Sequence, residues 1–129
     1  MEKELMGRLA LVTGSILAGL AVAIGAFGAH ALHELLQENQ RTDTFETATQ
    51  YHIFHALALL IVGVLQTKNA HKHLKVVSIL FLFGTLVFSG SLYLLSVTNI
   101  SFLGAITPVG GLMFLAGWIL LAWHLIRSY

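Results

Sequence analysis

The chain has no cysteine, a single proline and only 10% charged residues. Without cysteine there are no disulfides, iron–sulfur clusters, thiolate zinc sites or lipoprotein-type anchor, and the redox compartment is left undefined. The shortage of charge is more decisive, because ordinary soluble domains carry roughly 25%. Hydrophobic residues make up 57% of 129 positions. So small a domain keeps much of its surface exposed, so that excess cannot be hidden in one core. A single-domain integral membrane protein is the economical expectation. The net charge of +1 argues neither way about nucleic acid, and no nucleic-acid partner is expected. No low-complexity tract or interdomain linker is present.

Four stretches have the length needed to cross a hydrocarbon core of ~30 Å as helices. The first covers residues 9–30, and Leu9 to Ala29 contains no charge. Lys3, Arg8 and Ala29-His30-Ala31 also fit a signal peptide with a small-x-small cleavage site. Against that, the run exceeds the usual ~7–15-residue apolar core, and further spans follow. Two seams of small residues run along this helix. Gly14, Ala18, Ala21, Gly25 and Gly28 form one; Gly19, Ala23, Ala26 and His30 form the other. Small seams let helix backbones approach closely in lipid, so neighbours on two sides are expected.

Ala31 to Arg41 is polar and reads as a short amphipathic helix, with Leu32, Leu35 and Leu36 on one side, followed by a turn. Asp43, three residues before Glu46, resembles a capping box opening the second span. That span must run over about residues 44–66, because its purely apolar part, Ala56 to Leu65, is too short to cross. It therefore carries Glu46, Gln50, Tyr51, His52 and His55 toward or into the membrane. His52 and His55 share one face, which should point to protein or water, since ionisable groups facing lipid cost several kcal/mol. Thr67 to Lys75 reads as a short basic loop. Its His71-x-His73 could take up metal adventitiously, but the loop is better explained by topology and phospholipid charge. The third span, residues 76–97, is interrupted by Ser89-Gly90-Ser91 and Tyr93. The fourth, residues 102–126, has Pro108 in its first turns, where proline does least damage. Gly110, Gly111 and Gly117 offer close approach in this span, and Trp118, Trp123 and Tyr129 are candidate interfacial anchors.

With four spans, Lys3, Arg8, Lys68, Lys72, Lys75 and Arg127 fall on one side and only Arg41 on the other. The positive-inside rule then places both termini in the cytoplasm and the protein in the cell membrane. At ~1.5 Å per residue from the cytoplasmic ends, His55 lies about 16 Å up, His52 about 21 Å, Ser89 to Tyr93 about 20–26 Å and His30 about 33 Å. These groups are expected to converge on a polar recess in the outer half. His52 and His55 would form its floor and wall, Ser89, Ser91 and Tyr93 its lining, and His30 and Glu46 its mouth. Leu57 to Leu65 and Ile79 to Phe83 would plug the cytoplasmic half.

Histidines near neutrality shuttle protons or ligate metal or haem. Yet there is no Glu-x-x-His pair, no intramembrane aspartate, no hydrolase-like serine or carboxylate arrangement, and no glycine-rich phosphate loop after a strand. Hydrogen bonding across helices is the preferred role for His52 and His55; no metal site and no cofactor are expected. A metal or haem site is the weaker alternative.

Four groups of residues resemble one family along nearly the whole chain. They are Gly25-Ala26-Phe27-Gly28-Ala29-His30-Ala31-Leu32; Phe45-Glu46-Thr47-Ala48 with Tyr51 and His55-Ala56-Leu57-Ala58-Leu59; Phe88-Ser89-Gly90-Ser91-Leu92-Tyr93-Leu94-Leu95; and Ile106-Thr107-Pro108-Val109-Gly110-Gly111. Together they resemble the domain-of-unknown-function family 423, small bacterial membrane proteins related to eukaryotic transmembrane protein 256. His52 departs from that pattern, where an amide-type residue is usual, which favours His30, Glu46, Tyr51 and His55 as candidates. The resemblance implies four transmembrane helices and no established activity.

The expectation is therefore an all-α, integral membrane four-helix bundle with both termini cytoplasmic. It is read as non-enzymatic, in contact with the lipid bilayer, and structural or accessory to a membrane assembly through a protein partner or a homo-oligomer. Gly14, Ala18, Gly25, Gly28, Gly110 and Gly111 are the expected packing points. The rival is a module binding or transporting a small solute, proton or metal through the outer recess; a haem-binding redox protein comes third.

Overall fold

A computed structural model of the chain describes residues 1–128, apart from the side chains of residues 2 and 3. The described residues form five helices and no strand: α1 (Glu2–His30), α2 (His33–Glu38), α3 (Thr42–Lys68), α4 (Lys72–Thr98) and α5 (Leu103–Ser128). The four long helices have 26 to 29 residues and are therefore about 39–44 Å long, more than a bilayer core requires. Each extends beyond the span expected from hydropathy, except that α5 starts one residue later. Tyr129 lies outside the described residues.

The helices are arranged in space as α1–α3–α4–α5. Neighbours in that order pack along their lengths, whereas α1 and α5 do not approach each other. The apolar windows of α3 and α4 are 44% buried, against 22% for α1 and 28% for α5, so α3 and α4 form the centre. Outward faces carry Val12, Ile16, Val22, Ile61, Phe83, Leu112 and Ile119, all exposed. Such a continuous apolar surface suits lipid rather than water.

Close approach is set by small residues. A Cβ on Gly14 would crowd the Ala56 carbonyl and Leu60 of α3, and one on Gly28 would collide with the Phe45 ring. Ala18 packs on the cluster of Ala10, Leu17, Ala56 and Leu59 between α1 and α3. Between α4 and α5, a Cβ on Gly110 would strike the Phe88 backbone, while Gly84 receives Phe114 and Gly117 receives Phe81. Gly25 touches only Thr49, and Gly111 meets Phe88 at ordinary distance. Only the first of the two small seams on α1 is packed. The second faces away from the chain: Gly19 has nothing beside it, and Ala23, Ala26 and His30 are exposed.

The helix ends differ from expectation in two places. No capping box opens α3. Arg41 is its N-cap and makes no side-chain capping bond, because a guanidinium has no acceptor to offer a backbone N–H; its Nε donates instead to Asn99 Oδ1 at 2.9 Å. Asp43 instead lies in the first turn, where a carboxylate favours the helix dipole. At the other end, the basic loop shrinks to residues 69–71. His71 caps α4 by accepting the His73 backbone N–H at 3.2 Å. Buried Gln66 donates from Nε2 to the Leu74 carbonyl and to Ser78 Oγ, both at 2.7 Å, so the first turns of α4 are held against α3. The short α2 buries Leu36, and Asn39 after it donates to the carbonyls of Ser96 and Val97 at the end of α4. Those carbonyls lack intrahelical partners, so Asn39 satisfies two of them and ties α2 to α4.

Candidate functional site

His55 sits about 16 Å above Gln66 along α3 and is buried. Its Nδ1 lies 2.8 Å from the Tyr51 carbonyl, and its Nε2 accepts the indole N–H of Trp118 on α5 at 3.0 Å. A carbonyl only accepts, so Nδ1 carries the proton and the ring is the neutral Nδ1–H tautomer. Phe114 of α5 stacks on it, 3.5 Å between centroids and 10° between planes, and Phe81 of α4 meets its edge. Both nitrogens and one face are thus engaged. Trp118 is 45% exposed, but one side of its ring packs on His55 and Phe81, about 15 Å along α5 from Ser128. Trp123 is exposed near the end of α5, beneath the guanidinium of Arg127.

One turn higher, His52 Nδ1 lies 3.0 Å from the Tyr93 hydroxyl of α4, which in turn lies 3.3 Å from Thr49 Oγ1. Tyr93 has one hydroxyl proton, so donating it to Thr49 requires His52 to donate from Nδ1, and donating it to His52 reverses the tautomer. His52 Nε2 is buried without a hydrogen-bond partner. Ser89 Oγ donates to the Ala48 carbonyl of α3 at 2.8 Å, and Ser91 Oγ pairs with Thr107 Oγ1 of α5 at 2.7 Å.

These placements separate the expected recess into two parts. Of His52, His55, Ser89, Ser91 and Tyr93 only His52 and Tyr93 bond to each other; the others make separate cross-helix hydrogen bonds in the packed interior. A recess of about 500 Å³ does exist at the same end, between α1, α2 and α3. Its wall contains Gly25, Gly28, His33, Glu46, Thr49 and Gln50, so of the expected set only Glu46 lines it. His30 is exposed and outside this lining, and Tyr51 is 40% exposed with its ring against Phe88. The reason is helical phase: His55 faces α4 and α5 and His52 meets Tyr93 of α4, whereas Glu46, Gln50 and Ile53 turn toward the recess beside α1 and α2, with Thr49 between the two faces. The apolar half toward the α3–α4 connection is built from Ala58, Val62, Leu74, Val77 and Phe81; Leu57, Ile61, Ile79 and Phe83 point outward.

Sequence reasoning missed a second cluster at the opposite end. His71, His73 and His124 present one ring nitrogen each, all within 4.8 Å of one another. The His71-x-His73 spacing was visible, but nothing in the sequence places His124, 51 positions after His73, beside it.

Four long apolar helices with buried polar groups bonded between them define a small multi-pass α-helical membrane protein. The chain belongs to the family described as "Protein of unknown function (DUF423)", which it matches over residues 24–111. It is similar to UPF0382 membrane protein YwdK of Bacillus subtilis, 44% identical over 112 residues covering 86% of this chain and 90% of the relative. UPF0382 membrane protein SH2409 of Staphylococcus haemolyticus is 41% identical over 114 residues, covering 88% and 92%. No solved structure matches the chain.

Proposed function

We propose that this protein is a non-enzymatic component of the cell membrane, with both termini cytoplasmic, that supports a larger assembly by helix packing. The observation that carries this reading is His55, whose two nitrogens are committed to the Tyr51 carbonyl and the Trp118 N–H. Its only ring lone pair accepts the Trp118 N–H, so ligating a metal or haem iron there means breaking the tie between α3 and α5. His52 through Nδ1, with Ser89, Ser91 and Tyr93, is also used between helices. Further support comes from the unpacked seam of Gly19, Ala23 and Ala26, a surface of the kind on which a helix of another subunit can approach. The placement of six of the seven basic residues at one end supports the orientation.

The test uses single cysteines at Gly19, Ala26 and, as lipid-facing controls on α5, Leu112 and Ile119; the chain has no native cysteine. Oxidative cross-linking in native membranes should yield adducts from Gly19 and Ala26, either a dimer of this chain or one defined partner. Equal and diffuse reactivity at all four positions would count against the assembly reading.

A second reading rests on the recess beside Glu46. Its size suits a small solute, and Glu46, Thr49 and Gln50 supply polar contacts. Glu46→Gln with Gln50→Ala should abolish any solute-dependent protection of a cysteine at Ala29; unchanged protection removes this alternative.

A further inference from the structure

Two of the seven histidines stand in the α3–α4 connection and the first turn of α4, and a third lies in the last turns of α5. His71 and His73 ring centroids are 4.5 Å apart, His71 and His124 are 4.9 Å apart, and His73 and His124 are 6.0 Å apart. The set grades from the exposed His71 through the half-buried His73 to His124, only 5% exposed. A nearly buried imidazole ordinarily has a firm hydrogen-bond partner. His124 has only the Ser128 hydroxyl, 3.5 Å from its Nε2, and opens on a small cavity of about 120 Å³ between Leu65, Asn69 and Leu74.

We infer that His71, His73 and His124 form a binding site for one divalent transition-metal ion of the zinc class, which fastens the α3–α4 connection to the end of α5. Three neutral imidazoles with an open fourth position are a known donor set for such ions. Nitrogens around a tetrahedral ion with bonds of about 2.0–2.1 Å lie about 3.3 Å apart. The present spacing therefore closes by no more than about 1.5 Å, a movement within reach of side-chain rotation at His71 and His73. A neutral imidazole has one lone pair, and His71 spends its own on the His73 backbone N–H. Ligation takes that lone pair, and the bond surrendered is a long one at 3.2 Å. The group contains no carboxylate, and Lys72 and Arg127 are nearby fixed charges. That environment weakens cation binding relative to a site with acids, and favours an anionic or hydroxide ligand in the fourth position.

The experiment uses the full chain, purified in mild detergent without a histidine tag, titrated with Zn²⁺ and separately with Co²⁺. The expected result is saturation at one ion per chain, a visible Co²⁺ spectrum of nitrogen-ligated tetrahedral type, and a rise in thermal midpoint with Zn²⁺. Binding should weaken by more than the roughly 10–100-fold typical of losing a group that merely supports a ligand. That loss is expected in His71→Asn, His73→Ala and His124→Asn, but not in His33→Ala at the other end. Asn at position 71 keeps an N-cap while removing the imidazole. His71→Asn and His73→Ala also lie outside the packed core, so they remain informative if His124→Asn fails to fold. Absence of saturable Zn²⁺ binding, or binding retained in the His71→Asn/His73→Ala double variant, overturns the site.

Discussion

Trp118 donates its indole N–H to Nε2 of His55 at 3.0 Å, joining α5 to α3, two helices whose backbones do not approach each other. The gap between them is filled by side chains, with Phe114 stacked on the imidazole and Phe81 against its edge. The histidine is thus a polar bridge set in an aromatic wall.

Trp118→Phe keeps an aromatic ring near His55, though a smaller one, and removes the donor. Loss of stability should be about 0.6–1.7 kcal/mol, the range for hydrogen bonds between membrane helices. The measurement is reversible unfolding in mixed micelles. Combining it with His55→Ala in a double-mutant cycle should recover a coupling of about the same size, and additivity of the two changes would deny the bond.

Ser91 and Thr107 form a second polar tie, between α4 and α5. Ser91→Ala and Thr107→Val should each cost about 0.6 kcal/mol, and the pair together little more than either alone. The same unfolding assay reads this, with Thr13→Val on α1, whose hydroxyl bonds only within its own helix, as the control.

Gly110 admits no side chain, because a Cβ there meets the Phe88 backbone, whereas Gly90 has open space. Gly110→Ala should therefore destabilise by about 1–3 kcal/mol through overpacking, and Gly90→Ala should not. Equal effects at the two positions would show that α4 and α5 do not approach as described.

The membrane architecture was legible because charge scarcity and four long apolar runs leave few alternatives, and the first seam of α1 was legible because small residues at helical spacing mark close approach. The candidate site was legible only in part. Sequence spacing places His52 and His55 on one face of α3, but not which helix that face meets, so the sequence alone marks Trp118 as an interfacial anchor and not as the partner of His55. Depth alone groups Glu46 with the histidines, yet its angular position turns it to the recess beside α1 and α2. The three-histidine cluster joins residues at the two ends of the α4–α5 hairpin. Their meeting depends on the lengths and relative slide of two helices, which hydropathy does not specify.

Orientation in the membrane is checked with single cysteines at Gln37 and Asn69, exposed positions at opposite ends. An impermeant maleimide added to intact cells should label Gln37→Cys and spare Asn69→Cys. The reverse pattern would place both termini outside.

The most direct measurement of the histidines' structural role is the ¹⁵N spectrum of selectively labelled imidazoles in lipid nanodiscs near neutral pH. His55 should show a protonated Nδ1 and an unprotonated Nε2 that is hydrogen-bonded to an indole N–H, and that coupling should vanish in Trp118→Phe. An Nε2–H tautomer, a doubly protonated ring, or a spectrum indifferent to Trp118→Phe would contradict the role given to His55.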